Sequence, residues 1–317
     1  MNDVSATLLL QDVLDHTAYR LLLLPEEVIT RLNDGNNNDL KLKLQAKWGC
    51  DGSSDQSQYN QKYVNVESTA NADANFFATT LMPLRMTVLN KCKTIVWKNP
   101  TPQSPRWCRP LRFHFAKETE EFTLQEIDIV QTEMAALNPF VTTMAGLKVT
   151  VLYETYLSMI DGKVLAAATK TKSTMRCCIC HATSKDFNNL DNLDLFKPKE
   201  GTLSYGLSVL HLWIRSFEWL LHLSYRKNIG QWQLRGPELK AKGKERKKIL
   251  QERFLKLMSL RVDFPPKKGA GNSNNGNVSR SAFAKPELLS EILELDEHLI
   301  ENVRIILIAL SCQLLST

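Results

Sequence analysis

The chain has 317 residues and a formal net charge of +6, and 43% of its residues are hydrophobic and 23% are charged. These shares are close to those of folded domains, which excludes a wholly disordered chain and predicts a sizeable core. No basic residues lead into the Leu8–Leu10 run and no apolar stretch reaches membrane-spanning length. We therefore expect neither a secretory signal nor a membrane partner.

The first part of the chain is predicted to change from helix to strand. Apolar residues recur at helical spacing across 8–32, and Pro25 favours a second helix start within that range. Apolar and polar residues then alternate in a stretch that ends at Asp51, which is typical of a strand with one buried face. Two further runs, 76–88 and 111–116, are also rich in β-prone residues.

A helix is predicted next, because Thr123 and Glu126 fit a capping box and apolar residues follow at helical spacing up to Pro139. Alternation returns over 147–160, and Asp161 follows directly. The predicted order is strand with acid, strand, strand, helix, strand with acid, which is the order of the ribonuclease H-like fold. In that fold the two acid-bearing strands are central neighbours, so we expect the two acids to meet.

Asp51 and Asp161 are each followed by glycine at a predicted strand end. Carboxylate oxygens are hard ligands that suit Mg²⁺ or Mn²⁺, and two such ions can activate a water or hydroxyl for attack on a phosphodiester. We therefore predict a catalytic metal site at this pair. The alternative is that each Asp-Gly is an ordinary turn, which is the commoner case for one such pair taken alone.

A cysteine cluster follows the second acid. Cys177 and Cys180 form a Cys-x-x-Cys with His181 adjacent, which is half of a tetrahedral Zn²⁺ site. No second ligand pair with suitable spacing follows in the sequence. The cysteines are therefore interpreted as zinc ligands, as free thiols, or as part of a site completed by another segment or chain.

The C-terminal part is predicted to be mainly helical, with helices over 207–225, 245–260 and 286–310. One run is strongly basic and favours either a polyanionic partner such as nucleic acid or a solvated helix face. Its cations are Lys240, Lys242, Lys244, Arg246, Lys247 and Lys248.

A loop rich in Gly and Asn is predicted over 269–280, and Lys267, Lys268 and Arg280 accompany it. Backbone amides and basic side chains of such a loop can hold phosphate. A flexible linker is the equal alternative.

Several unusual stretches resemble the Transib transposases and the related V(D)J recombination-activating protein 1 family. They are Lys47-Trp-Gly-Cys-Asp-Gly-Ser-Ser, Arg109-Pro-Leu-Arg-Phe, Met159-Ile-Asp-Gly-Lys, Cys180-His-Ala-Thr-Ser-Lys-Asp-Phe-Asn and Gly271-Asn-Ser-Asn-Asn-Gly-Asn-Val-Ser-Arg. The likeness extends over nearly the whole chain, and the closer match is to the insect-type transposase.

The resemblance implies an α/β plus α architecture: a ribonuclease H-like mixed sheet, incomplete here, with a helical zinc-binding insertion. The implied domains are a helical segment over 1–40, the first part of the catalytic core over 41–170, and a Cys-containing helical region over 171–317. The implied activity is DDE-type, in which two aspartates and a glutamate hold two divalent metals for DNA nicking and strand transfer.

Carried over residue by residue, the resemblance places Asp51 and Asp161 on the two catalytic aspartates, and Cys177 and Cys180 on the zinc cysteines, with Cys178 leaving the register ambiguous. DNA contacts are expected from Lys163, Lys267, Lys268 and Arg280. The family also implies a homodimer and a nuclear location.

One departure from the family bears on activity. The catalytic glutamate and the His pair of the family lie beyond the last helix of this sequence, which ends at Thr317. We therefore expect a truncated chain that is inactive by itself, because loss of one member of a catalytic unit costs orders of magnitude in rate. The alternative is a domesticated remnant that binds DNA or a partner without catalysis.

Overall fold

A computed structural model describes residues 5–24, 26–31, 39–54, 75–89, 91–102, 104–144, 146–171, 176–187, 189–205, 208–230, 234–264 and 273–316. The chain divides into two compact units, Met1–Gly206 and Leu207–Thr317. No helix in these ranges is both long and apolar enough to cross a membrane.

The first unit contains a mixed sheet and four α-helices in the described residues. Its strands are β1 (Ser5–Thr7), β2 (Asp39–Ser54), β3 (Asn75–Val88), β4 (Lys91–Lys98), β5 (Arg109–His114), β6 (Phe140–Met144) and β7 (Leu147–Leu157). Its helices are α1 (Leu10–Leu22), α2 (Glu26–Arg31), α3 (Glu120–Ala135) and α4 (Gly162–Ala168). The sheet order is β1-β5-β3-β2-β7-β6, and β4 pairs with β3.

Strand β2 lies at the centre of this sheet. It pairs in parallel with β7, from Asp39 opposite Lys148 to Trp48 opposite Leu157, and antiparallel with β3. The predicted alternation on β2 is confirmed, because Leu42, Leu44, Ala46 and Trp48 are all buried. Two adjacent central strands therefore point their carboxyl ends to the same edge of the sheet.

Helices α1 and α3 contribute buried residues to the same apolar core as β2 and β7. Leu10, Leu14 and Leu21 of α1 are buried in it, as are Ile127 and Val130 of α3. Helix α1 is also joined to β7 by a hydrogen bond from the Tyr153 hydroxyl to Asp15, with an O···O distance of 2.5 Å.

The capping box predicted for α3 is wrong. The helix begins at Glu120, and the side chain of Thr119 caps it by accepting a hydrogen bond from the amide of Phe122. Thr123 and Glu126 lie inside the helix and are buried. Glu126 instead accepts a hydrogen bond from Thr79 and lies 3.9 Å from the guanidinium of Arg112, so tertiary contacts outweigh the local capping pattern.

The second unit is helical in its described residues. Its helices are α5 (Val209–Arg226), α6 (Pro237–Met258), α7 (Gly276–Phe283), α8 (Pro286–Leu293) and α9 (Glu297–Ser316). The single helix predicted over 286–310 is thus two helices, because Glu294 adopts a left-handed conformation with φ of 55° that ends α8. The loop predicted over 269–280 is also corrected, since α7 begins at Gly276 under an Asn275 cap.

The helical spacing of apolar residues on α5 predicts an inward stripe, with Trp213 and Trp219 adding apolar area, and the structure confirms it in part; the stripe is Leu210, Ile214, Phe217, Leu220 and Leu221. Trp213, Phe217 and Leu221 are buried, whereas Leu210 and Trp219 are 42% and 41% exposed. On α6 the pattern predicts a buried side made of Ile249, Phe254, Leu257 and Leu260. Phe254 is buried as predicted, Ile249 and Leu257 are exposed, and Leu250 fills the core beside Phe254. Both helices carry more apolar residues than one face can bury, so periodicity alone does not select the inward face.

Candidate active site at the carboxyl edge of the sheet

Asp51 lies near the carboxyl end of β2, opposite Ala78 of β3. Its neighbour Cys50 is buried, and burial raises the pKa of the Cys50 thiol to about 12. Because successive residues of a strand face opposite sides, Cys50 enters the core and the carboxylate of Asp51 faces the other side of the sheet. The thiol is neutral at physiological pH and the carboxylate keeps an exposed surface.

Asp161 does not lie on a strand, in contrast to the prediction that the strand continues to residue 160. Strand β7 ends at Leu157, and the chain then turns toward β2: the amides of Ser158 and Met159 both donate to the carbonyl oxygen of Trp48, each at 3.1 Å. Asp161 follows as the N-cap of α4. Its Oδ1 accepts hydrogen bonds from the amides of Lys163 and Val164, both at 2.8 Å.

A third carboxylate lies at the same edge. Glu118 follows β5, which runs in the same direction as β2 because each is antiparallel to β3. Its side chain packs on the backbone of Gly52, where an added Cβ would lie 2.6 Å from both the Cβ and the Oε2 of Glu118. Its side chain is only 12% exposed.

The three carboxylates are electrostatically coupled. Burial, followed by the negative charges of Asp161 and Glu118, raises the pKa of Asp51 to about 6, while the amide of Gly52 and the ammonium of Lys163 act to lower it. The surrounding protein desolvates the Asp51 carboxylate although the residue keeps exposed surface. Three neighbouring carboxylates repel each other when they are ionised, and a bound cation would relieve that repulsion. A pKa of about 6 for Asp51 therefore indicates a position that favours a cation.

Lys163 supplies a positive charge at this site. Its Nζ lies 2.8 Å from Oε2 of Glu118. Lys163 was predicted to contact DNA, and the structure places it beside the acids. The Lys163 side chain is 65% exposed.

Sequence reasoning found Asp51 and Asp161 but missed Glu118. The signal used for the aspartates was an acid followed by glycine at a strand end, and Glu118 is followed by Thr119. A broader signal was available, because Glu118 follows the predicted strand 111–116 by two residues. An acid shortly after each of three strands that run in the same direction indicates one shared edge.

No group of three or more His, Cys, Asp or Glu side chains is arranged to hold a metal ion among the residues that the structure describes. The acidic edge of the sheet consists of Asp51 and Asp161, with Glu118 nearby. Within the described residues these side chains do not form a complete set of ligands for a divalent cation. The raised pKa of Asp51 is the observation that fits a cation there.

The predicted zinc cysteines lie on a tight turn. The amide of Cys177 donates to the carbonyl of Ala182 at 2.8 Å, and the amide of His181 donates back to the carbonyl of Cys177 at 2.9 Å. Burial raises the pKa of the Cys177 thiol, but hydrogen bonds from the amides of Cys180 and Ile179 outweigh it, so that the pKa is lowered overall. Amide donors directed at a sulfur stabilise a thiolate, the form that binds metal.

The amide hydrogen bonds are directed at Cys177, and the register that Cys178 leaves ambiguous stays a prediction. The Nδ1 of His181 lies 3.0 Å from the ammonium of Lys199, and its Nε2 is buried without a hydrogen-bond partner among the described residues. The described part of the chain supplies no third or fourth zinc ligand.

The remaining predicted DNA contacts fall in the second unit. Arg280 is on α7, with its guanidinium 5.7 Å from the centre of the Trp213 ring, and burial lowers its pKa. Lys267 and Lys268 lie outside the described residues.

A mixed sheet with its acids at the carboxyl ends of two parallel central neighbours, and helices α1 and α3 packed into its core, defines an α/β protein of the ribonuclease H-like class. Residues 44–170 match the family described as Recombination-activation protein 1 (RAG1) RNase H domain. Over these residues the chain is similar to the RAG1 and Transib-like recombinases, and the match supports a transposase or recombinase ancestry. No curated protein matches the chain.

Proposed function

We propose that this protein is a DDE-type DNA recombinase in which the acidic edge of the sheet binds Mg²⁺ or Mn²⁺ and breaks a phosphodiester bond. One observation carries the proposal: β2 and β7 are parallel neighbours, and Asp51 at the end of one is coupled to Asp161 beyond the end of the other. The family match, which covers both aspartates, supports the same reaction class.

Each charged residue at the acidic edge of the sheet has a separate role in the proposed reaction. Asp51 and Asp161 would hold the cation, which supplies a Lewis acid that polarises the phosphate and generates a hydroxide nucleophile. The α4 amides fix one oxygen of Asp161, so the orientation of this carboxylate is set before any ligand arrives. Glu118 adds negative charge at the site, and Lys163 balances it.

A nicking assay tests this proposal. Supercoiled DNA is incubated with the protein and Mn²⁺, and the wild type is compared with Asp51→Asn and Asp161→Asn. Removal of either carboxylate should lower the nicking rate roughly 10³-fold or more. Asp128→Asn on the exposed face of α3 is the matched control and should retain the wild-type rate. Equal rates for all four proteins would contradict the proposal.

A second candidate function is DNA binding without catalysis. It is favoured by one observation: the described residues hold no complete set of three metal ligands. In that case the protein binds DNA equally well with Mn²⁺ and with a chelator, and no nicking above the Asp51→Asn background is measured. The assay therefore separates the two candidates.

Zinc binding at Cys177 and Cys180 belongs to the same proposal, and the amide hydrogen bonds to Cys177 support it. Cys177→Ser should reduce the zinc content measured by atomic absorption, whereas Cys178→Ser should leave it unchanged. A nuclear location follows from the proposed reaction on chromosomal DNA. A homodimer follows because recombination acts on two DNA ends. Imaging of a tagged chain and light scattering test these two points.

A further inference from the structure

Helix α6 carries eight basic and three acidic residues, and six of its cations fall into two groups. Of the other two, Lys242 pairs with Glu238 of the same helix and Lys256 is exposed in its last turn. One group is paired with acids of its own unit. Arg246 and Arg253 each lie 2.7 Å from a carboxylate oxygen of Glu294, and Lys247 lies 2.7 Å from Asp263. These contacts anchor one side of α6 to the rest of the second unit.

The other group consists of Lys240, Lys244 and Lys248, which we call the α6 lysine face. All three are exposed, and none forms an ion pair with any residue that the structure describes. They recur every four residues, so their Cα atoms climb one side of the helix over about 12 Å. Like charges at this spacing repel each other across each turn.

This arrangement differs from a helix face that is merely solvated. Exposed acids Glu245 and Glu252 lie on the same helix, but they make no ion pair with the three lysines in the described structure. Acids elsewhere in the unit already neutralise the inner cations, so the uncompensated charge is concentrated on the α6 lysine face. A polyanion with closely spaced charges would relieve the repulsion.

We infer that the α6 lysine face binds the phosphate backbone of duplex DNA. Duplex DNA presents one negative charge per about 1.7 Å of helix axis, so a 12 Å row of ammonium groups can meet three phosphates at once. The choice of DNA among polyanions rests on the proposed function. Side chains that contact only phosphates position the duplex and do not select its sequence.

This contact makes a quantitative prediction about salt. Each phosphate neutralised by a lysine contributes about −0.9 to the slope of log affinity against log salt concentration. Replacing all three lysines with alanine should therefore reduce the magnitude of the slope by about 2.7. Between 50 and 200 mM salt the variant should lose about 40-fold less affinity than the wild type does.

The experiment measures binding of a fluorescent 30-base-pair duplex to the full chain by anisotropy, across a salt series with no Mg²⁺ or Mn²⁺ added. The test variant is Lys240→Ala/Lys244→Ala/Lys248→Ala, whose helix should be retained because alanine has the higher helix propensity. The control is Lys41→Ala/Lys148→Ala/Lys197→Ala, which removes the same charge from exposed lysines of the first unit. Lys41 and Lys148 lie at the opposite ends of β2 and β7 from Asp51.

A slope reduced by two to three in the test variant but not in the control is the expected result. An unchanged slope, or an equal reduction in the control, would overturn the inference. So would wild-type protein that binds duplex RNA and not duplex DNA. Because cleavage needs Mg²⁺ or Mn²⁺ and neither is added, the result is independent of nicking, and a failure of this test is distinguishable from a failure of the nicking assay.

Discussion

Gly49 and Met159 are in direct backbone contact: a Cβ atom on Gly49 would fall 1.9 Å from the carbonyl oxygen of Met159. No side chain fits there without moving the backbone. The absence of a side chain lets the segment after β7 cross over β2, where the amides of Ser158 and Met159 reach the carbonyl of Trp48. Two residues further on lies Asp161, so this contact sets the position of Asp161 relative to Asp51.

Gly49→Ala should therefore push the 158–161 segment away from β2. We expect a loss of about 1–3 kcal/mol in the free energy of unfolding, from overpacking against the backbone. We also expect the pKa of Asp51 to fall, because the charge of Asp161 is one cause of its elevation. Urea denaturation measures the first effect, and carboxyl ¹³C NMR titration measures the second.

Gly162→Ala is the matched control for this variant. Gly162 is the first residue of α4, and a Cβ added there meets nothing within 4 Å. Its free energy of unfolding should stay within about 0.5 kcal/mol of the wild type. If the two glycine variants behaved alike, close backbone approach at Gly49 would not be what positions Asp161.

The raised pKa of Asp51 predicts a pH dependence of stability. Below pH 4 the carboxyl is protonated in both the folded and the unfolded state and has no effect. As the pH rises from about 4 to about 6, the unfolded state loses its proton first, so the folded state is progressively destabilised, and the full cost persists above pH 6. Asp51→Asn removes that cost.

Thermal unfolding at a series of pH values tests this sign. The Tm of Asp51→Asn should exceed that of the wild type above pH 6, and the two should converge below pH 4. A saturating concentration of Mn²⁺ should close the gap at pH 7, because a bound cation offsets the repulsion among the acids. A wild type that is the more stable protein at pH 7 without metal would refute the electrostatic description of the site.

The strands that form the site could be predicted from sequence because each has one buried face. The alternation from Leu42 to Trp48 is a period of two over a tract with no competing pattern, and it correctly places Asp51 on the central strand. Strand β7 was also predicted, and the residues of its buried face were predicted correctly. The predicted strand ran to residue 160, which is three residues too long. Ser158 and Met159 leave the strand to satisfy the carbonyl of Trp48, and no local signal encodes that long-range bond.

The features that could not be predicted depend on contacts distant in sequence. Thr119 and Thr123 both suit a helix cap, and only burial of Glu126 beside Arg112 and Thr79 makes Thr123 an interior residue. In the same way, the proximity of Glu118 to Asp51 depends on how β5 pairs with β3. The residue types indicated an acidic site at the sheet edge. Which acids lie there depends on how the strands pair in the tertiary structure.

Glu118 and Lys163 should have opposite effects on Asp51. Glu118→Gln removes a negative charge that raises the pKa of Asp51, so that pKa should fall below 6. Lys163→Met removes a positive charge that lowers it, so the pKa should rise above 6. NMR titration of the Asp51 carboxyl carbon measures both shifts.

The pair of variants also controls for indirect effects. Both remove one partner of the Glu118–Lys163 ion pair, so a change that came only from loss of this contact would move the pKa of Asp51 in the same direction in both. Glu118→Asp keeps the charge and should restore most of the wild-type pKa. Shifts of equal sign would show that Glu118 and Lys163 affect Asp51 by packing and not by charge.

Glu294 should make the second unit sensitive to acid. Hydrogen bonds from Arg246 and Arg253 lower the pKa of its carboxyl to about 2. A lowered pKa stabilises the folded state above the unfolded value of 4.5, and that stabilisation is lost as the pH falls toward 2. Since the site is partly exposed, solvent screening limits the contribution to about 1 kcal/mol.

Glu294→Gln should therefore lower the free energy of unfolding at pH 7 and have progressively less effect as the pH falls from about 4.5 to 2. Glutamine has the size of glutamate, so the left-handed backbone conformation at residue 294 should be the same in the variant as in the wild type. Glu291→Gln is the control, because Glu291 is an exposed residue of α8. Denaturant unfolding at pH 7 and pH 2.5 measures the difference, and an effect of Glu294→Gln that is equally large at both values would mean that its charge does not stabilise α6 against α8.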